Sequence, residues 1–90
     1  MRRQILYASS FDDAVGNLGG YRAVDKALEP IIEALDRSPY GFDLIENDFT
    51  RVRYAITREV PGVIPALVVI FEITPEHNVE LIHVEEFEAI

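Results

Sequence analysis

The apolar positions at the start of the chain follow first the pattern of a strand and then that of a short helix. Residues 4–9 begin with an apolar run that predicts a strand, and apolar side chains then recur at helical spacing over residues 11–18. Ser10, just before this stripe, resembles the first residue of a capping box and predicts the start of the helix. The pair Gly19 and Gly20 predicts its end, because glycine has no side chain to resist a sharp turn.

A second apolar stripe predicts a longer helix over about residues 21–36. Its positions are spaced by three and four residues, as on one face of an α-helix: Val24, Ala27, Leu28, Ile31, Ile32 and Leu35. Pro30 lies inside the stripe and has no N–H to donate, so we expect a kink or a break there. The alternative is a separate last helix that begins at Pro30, since proline is tolerated in a first turn.

The rest of the chain has the character of strands. Residues 50–58 alternate between polar and apolar side chains, and residues 66–73 are apolar on both faces, which is typical of a central or covered strand. A five-residue loop then leads to a returning strand at about residues 79–87. Symmetrical closure of this hairpin places Val69 opposite His83.

Two arginines share one side of the strand at residues 50–58. Its two faces are Arg51, Arg53 and Ala55 on one side, and Val52, Tyr54 and Ile56 on the other. We expect the apolar face to pack on the core and the guanidinium groups to project, about 7 Å apart, from the uncovered face. Such a pair indicates an anionic partner; the alternative is ion pairing with carboxylates on neighbouring strands.

The order of these elements predicts an α+β fold of two layers, with one domain over residues 1–90. In this plan the N-terminal strand and the helices pack on one face of an antiparallel sheet. The composition, 49% hydrophobic and 27% charged, is that of a globular protein. Without cysteine there can be no disulfide or thiolate metal site, and no apolar run reaches the roughly 20 residues of a membrane span. We therefore expect a cytoplasmic protein with no membrane partner.

The distribution of charge limits the partners. The net charge is −8, which argues against broad binding to nucleic acid. All eight basic residues lie at or before Arg58, so the last third of the chain is acidic. This acidic part is either a solubilising surface or a surface that attracts a basic partner. A core of this size also makes a homodimer or a permanent partner a reasonable expectation.

Four segments together resemble a family of bacterial proteins. They are the apolar positions of residues 11–18, those of residues 27–39, the run Arg51-Val52-Arg53-Tyr54, and residues 79–84 of the last strand. In this order they are similar to the RelE/ParE family of toxins from type II toxin–antitoxin systems. The resemblance spans nearly the whole chain.

The resemblance implies a fold, a target and a partner. The helices would pack on one side of a curved antiparallel sheet, and the open face would dock messenger RNA on the ribosome or, in the ParE branch, inhibit DNA gyrase. An antitoxin polypeptide is the implied partner. Carried over from the nuclease branch, Arg53 or Arg51 matches the position that holds the scissile phosphate, and His83 falls near a C-terminal position that takes part in proton transfer.

Endoribonuclease chemistry by attack of the 2′-hydroxyl requires a base, an acid and a cation. The cation would come from Arg51 and Arg53, which can clamp a phosphate in a bidentate manner. His83 is a candidate for the acid or the base, with Glu46 or Glu85 as the alternative base.

The chain departs from the usual nuclease pattern. It is strongly acidic, and Glu85, Glu86 and Phe87 occupy the region in which these nucleases often have a tyrosine or a lysine. Three alternatives therefore stay open: a non-catalytic interaction or dimerisation domain of the same fold, a gyrase-inhibiting toxin of the ParE type, and a separate enzyme acting on small acidic metabolites.

The remaining candidate side chains indicate no further chemistry. His77 and His83 match no compact metal-ligand spacing, so we expect no metal and no cofactor. His77, beside Pro75 and Asn78, is interpreted as an exposed turn residue, and Tyr40 as an exposed loop residue.

Overall fold

Within the residues that the structure describes, one strand, two helices and three further strands follow one another. The computed structural model describes residues 3–42, 44, 52–59, 61–62 and 65–87. The elements are β1 (Ile5–Tyr7), α1 (Ser9–Asn17), α2 (Tyr21–Arg37), β2 (Val52–Ile56), β3 (Leu67–Ile73) and β4 (Val79–Glu86), with a 3₁₀ turn at Pro39–Gly41 after α2. No helix within the described part of the chain combines the length and the apolar character needed to cross a membrane.

The four strands form one mixed sheet in the order β1-β4-β3-β2. β2, β3 and β4 are antiparallel, as predicted, but β1 runs parallel to β4. The prediction is therefore wrong at the first strand, which does not pack on one face of an antiparallel sheet but is a member of the sheet and makes it mixed. The reason lies in connectivity: parallel neighbours need a long crossover, and here the chain between them includes both helices.

The core lies between the helices and one face of the sheet, which confirms the two-layer α+β class. Its buried apolar side chains come from both helices and three strands: Phe11, Ala14, Val15, Val24, Leu28, Leu35, Ala55, Leu67, Val69, Phe71, Val79, Leu81 and Val84. The helical stripes and the alternating residues of β3 thus bury against each other, as their periodicities require.

The ends of the helices differ in part from the prediction. Gly19 and Gly20 have φ of 106° and 94°, so the predicted turn between the helices is confirmed. Ser10 is not a cap; its hydroxyl donates a hydrogen bond to the carbonyl oxygen of Ile82 (2.6 Å), and α1 begins without a side-chain cap. α2 continues through Pro30, so the expected break is wrong. Pro30 is exposed, while buried residues on the opposite face anchor both halves of the helix.

A β-bulge in β4 changes the predicted hairpin register. Phe71 pairs with Leu81, as symmetrical closure requires, but Ile70 then pairs with His83, which leaves Ile82 as an extra residue. The predicted pairing of Val69 with His83 is wrong for this reason. The bulge follows from the apolar pattern, because Leu81 and Val84 are both buried although three positions apart, and strict alternation would turn one of them outward.

The face assignment of β2 is the reverse of the prediction. Ala55 is 3% exposed and lies with Arg53 on the helix-facing side, since Arg53 pairs with the buried Phe71. The opposite side is here named the open face; its side chains, none of them buried, are Leu6, Val52, Tyr54, Ile56, Val68, Ile70, Glu72, Glu80, His83 and Glu85. Alternation gives a strand two faces but does not decide which one the helices cover.

Candidate functional site

The sequence-predicted site residues do not converge. Arg53 lies on the helix-facing side of the sheet and His83 on the open face, opposite Ile70. Nε2 of His83 is 3.7 Å from Oε2 of Glu85, the only ion-pair contact among the described residues. Arg51 and Glu46 lie outside the residues that the structure describes. His83 is therefore separated from Arg53 and does not line the cavity that contains Arg53.

Arg53 is anchored by the segment that follows α2. Its Nη1 donates to the carbonyl oxygens of Phe42 (2.5 Å) and Tyr40 (3.3 Å). Its guanidinium carbon lies 5.8 Å from the centroid of the Tyr40 ring, within cation–π range. A guanidinium carries five N–H donors in a rigid fork, of which these carbonyls take two. The side chain is thus held in one orientation while its charge stays at the edge of the sheet.

His77 has an unusual backbone in the loop between β3 and β4. Its φ is 66°, the left-handed region in which side chains with a Cβ are rare. The N–H of His77 donates to the carbonyl oxygen of Thr74 (2.9 Å), and the N–H of Thr74 donates to that of Asn78 (2.8 Å), so the loop is a tight turn with a left-handed third residue. Glycine is the usual residue there, and an L-residue costs about 1–2 kcal/mol more.

The imidazole of His77 reaches back to the segment that holds Arg53. The hydroxyl of Tyr40 and Nδ1 of His77 are 2.6 Å apart, and their ring centroids are 6.4 Å apart. Which atom donates depends on the tautomer of the histidine. Tyr40 therefore contacts both the cation and the imidazole.

These side chains line one cavity at the end of the sheet where β2 begins and β3 ends. Its volume is about 710 Å³, within the range of small-molecule sites. The lining combines apolar and polar residues: Tyr40, Leu44, Arg53, Glu72, Ile73, Thr74, Pro75 and His77. Arg53, His77 and Tyr40 thus line a space of small-molecule size, and Glu72, an open-face residue, borders the same space.

Sequence reasoning missed Tyr40 and His77, which it had interpreted as loop residues without a role. A signal was present for His77: a histidine occupies the turn position at which the loop geometry favours glycine or asparagine. Strained residues of this kind are concentrated at functional sites. Tyr40 gave no such signal, because its contacts with Arg53 and His77 join segments distant in sequence.

The described residues contain no set of side chains arranged to bind a metal ion. No cluster of three or more histidine, aspartate or glutamate side chains is placed there to hold an ion. The carboxylate and the imidazole of the cavity are thus two side chains, below the three protein ligands of a typical catalytic zinc site.

Comparison of the chain with known proteins gives no match to a family model, to a curated protein or to a solved structure. The resemblance to RelE/ParE toxins therefore stays a prediction from the sequence. The residues that line the cavity are the observation that bears on function.

Proposed function

We propose that the protein is a RelE/ParE-like toxin that cleaves messenger RNA, with the cavity around Arg53 and His77 as its active site. One observation supports this proposal above the others: Arg53, Glu72 and His77 line the same cavity. They are the three kinds of group that attack by a 2′-hydroxyl requires, namely a cation, a base and an acid. The coarse α+β plan, with helices on one side of the sheet, is compatible with the proposed family.

In the proposed reaction Glu72, His77 and Arg53 each have one role. The carboxylate of Glu72 takes the proton of the 2′-hydroxyl, and the 2′-oxygen forms a bond to phosphorus. The bond from phosphorus to the 5′-oxygen breaks, and the imidazolium of His77 donates a proton to that oxygen. The guanidinium of Arg53 stabilises the charge that develops on the phosphorane oxygens. The products are a 2′,3′-cyclic phosphate and a 5′-hydroxyl end.

Tyr40 positions the acid. When the imidazole is protonated, its Nδ1–H donates to the Tyr40 oxygen, which lies 2.6 Å away. This bond fixes the plane of the ring and leaves Nε2 as the nitrogen that exchanges the proton. The ring of Tyr40 also lies under the Arg53 guanidinium, so one side chain holds both the acid and the cation in place.

The net charge explains why the substrate should be presented by the ribosome. A chain of charge −8 repels the phosphates of free RNA, whereas general RNA-binding proteins are basic. Screening confines such repulsion to about 8 Å at physiological salt, so a strand already held in position can still enter a cavity that contains a cation. We therefore expect faster cleavage of ribosome-bound messenger than of the same RNA free in solution.

The test is cleavage of an end-labelled messenger on programmed ribosomes. The expected result is a 2′,3′-cyclic phosphate end, with rates reduced at least about 100-fold in His77→Asn and Glu72→Gln. Arg53→Lys keeps a positive charge but loses the fork, and is expected to be slower as well. His83→Asn is the matched control: it changes a histidine on the open face and should cleave at the wild-type rate.

Two results would contradict the proposal. One is the absence of cleavage by the wild-type chain with either ribosome-bound or free RNA. The other is full activity of His77→Asn together with loss of activity in His83→Asn. Inhibition of gyrase supercoiling without RNA cleavage would instead favour the ParE type of toxin.

A further inference from the structure

The open face combines an apolar half with an acidic half. β2 contributes Val52, Tyr54 and Ile56, and β3 contributes Val68 and Ile70. Ile56 is 44% exposed, and none of the five is buried. Water contact with so many adjacent apolar side chains is unfavourable, and such patches on soluble domains often mark interaction sites.

The acidic half lies beside the apolar half on the same face. Rows of paired residues cross the sheet: Val52 with Glu72 and Glu80, Tyr54 with Ile70 and His83, and Ile56 with Val68 and Glu85. Two of the three rows therefore end in a carboxylate on β4. Glu72 and Glu80 face each other as paired residues, so two like charges lie together at one corner. A cation placed between them would relieve this repulsion.

The carboxylates on the open face favour one kind of binding partner over the others. Nucleic acid is disfavoured, because its phosphates would meet the carboxylates of β4. A second copy of the chain is disfavoured as well, since each copy brings the same carboxylates and a net charge of −8. A polypeptide with an apolar stripe flanked by lysine or arginine satisfies both halves at once.

We propose that the open face binds a basic amphipathic polypeptide segment of another protein. Its apolar stripe covers the side chains of β2 and β3, and its cations lie over Glu80 and Glu85 on β4. This inference does not depend on RNA cleavage, because Arg53 of the cavity lies on the helix-facing side of β2. Glu72 contributes to both regions and is left unchanged in the test for that reason.

The test measures binding of a synthetic helical peptide of leucine and lysine, labelled with a fluorophore, to the full chain. The apolar residues of the peptide form one stripe, with lysines on both flanks. Fluorescence anisotropy gives its Kd, and amide shifts in NMR spectra locate the contact. We expect Glu80→Gln/Glu85→Gln to weaken binding about tenfold, as loss of two exposed ion pairs predicts. The variant Ile56→Ser should also weaken it, and shifts should fall on β2, β3 and β4.

The control is a charge change of equal size on the helical side. Glu29→Gln/Glu33→Gln removes two exposed carboxylates from α2 and should leave the Kd unchanged. Equal weakening by both double variants, or equal binding of a scrambled peptide of the same composition, would overturn the proposal in favour of general attraction to an acidic protein. A wild-type dimer that Ile56→Ser converts to a monomer would overturn it by assigning the face to a second copy. RNA cleavage by Glu80→Gln/Glu85→Gln should match the wild type, so the outcome for this surface is separable from that for the cavity.

Discussion

The hydroxyl of Tyr40 and Nδ1 of His77 lie 2.6 Å apart and join the 3₁₀ turn after α2 to the loop between β3 and β4. If this bond positions the imidazole, Tyr40→Phe should lower kcat for RNA cleavage by about tenfold and change KM little, because the substrate still meets Arg53. Steady-state kinetics on programmed ribosomes measure both constants. Tyr7→Phe, which removes a phenol hydroxyl from β1 at the opposite edge of the sheet from β2, should leave them unchanged. A rise in KM at constant kcat would contradict a role in positioning.

Because the backbone of His77 is left-handed, we expect His77→Gly to affect the proposed cleavage much more than the free energy of unfolding. In His77→Gly the strain of about 1–2 kcal/mol disappears, while the hydrogen bond to Tyr40 is lost and the unfolded chain gains entropy. We therefore expect the free energy of unfolding in urea to stay within about 1 kcal/mol of the wild-type value. If His77 is the acid of the proposed reaction, cleavage should nevertheless fall at least about 100-fold, because the imidazole is gone.

The same loop provides the control for His77→Gly. Glu76→Gly changes the preceding, exposed residue, which has no left-handed strain to relieve. It should lower the free energy of unfolding by roughly 0.5–1 kcal/mol and leave cleavage intact. If His77→Gly were instead the more destabilised of the two, the imidazole would be a structural element of the loop.

The turn between the helices depends on Gly20. Its φ of 94° and ψ of 173° lie in a region that is essentially restricted to glycine. An added Cβ would meet no atom within 4 Å, so the cost of Gly20→Ala comes from the backbone alone. We expect a loss of about 1–3 kcal/mol in the free energy of unfolding. Gly16→Ala, inside α1 and also free of contacts, should instead add about 0.5–1 kcal/mol.

Alkaline pH should weaken the fold through Tyr21. Desolvation by burial, together with the hydrogen bond and the negative charge of Asp12, raises the pKa of Tyr21 to about 12. An unfolded tyrosine ionises near pH 10, so between about pH 10 and 12 the folded state retains a proton that the unfolded state has lost. The stabilisation is complete below about pH 10 and is lost as the pH rises through about 12. Tyr21 is 37% exposed, so solvent screens part of the effect.

Urea unfolding of the wild type and of Tyr21→Phe measures this dependence. The stability advantage of the wild type over the variant should shrink steadily above about pH 10, because phenylalanine has no proton to lose. A difference that is constant across this range would show that the phenol of Tyr21 titrates alike in the folded and unfolded states.

Much of the fold follows from local patterns. The helical stripe through Val24 and Leu28 reports which residues face the core, and the pair Gly19-Gly20 reports where the chain must turn, because both signals depend only on neighbours in sequence. The break predicted at Pro30 was wrong because the outcome there depends on packing and not on neighbours in sequence. Local chemistry disfavours proline inside a helix, but packing of the buried face stabilises the helix on both sides of it.

The candidate site could not be predicted in the same way. Alternation in β2 is equally compatible with either face inward, and only pairing of Arg53 with the buried Phe71 decides between them. The cavity combines Tyr40, Arg53 and His77, which belong to three segments that meet through the sheet. No pattern of residues along the chain indicates that these three segments lie close together. The bulge at Ile82 could have been predicted from the sequence, because the apolar residues Leu81 and Val84 are three positions apart and break the alternation of a regular strand.

The parallel pairing of β1 with β4 makes the first strand depend on the last. Among the described strands β1 pairs with β4 alone, through Val79–Leu81, so it stays unpaired until the first part of β4 has left the ribosome. Both helices likewise emerge before the strands that receive their apolar faces. A nascent chain that stops before β4 lacks both the partner of β1 and the buried side chains of Val79, Leu81 and Val84, so neither the sheet nor the core is complete at that stage.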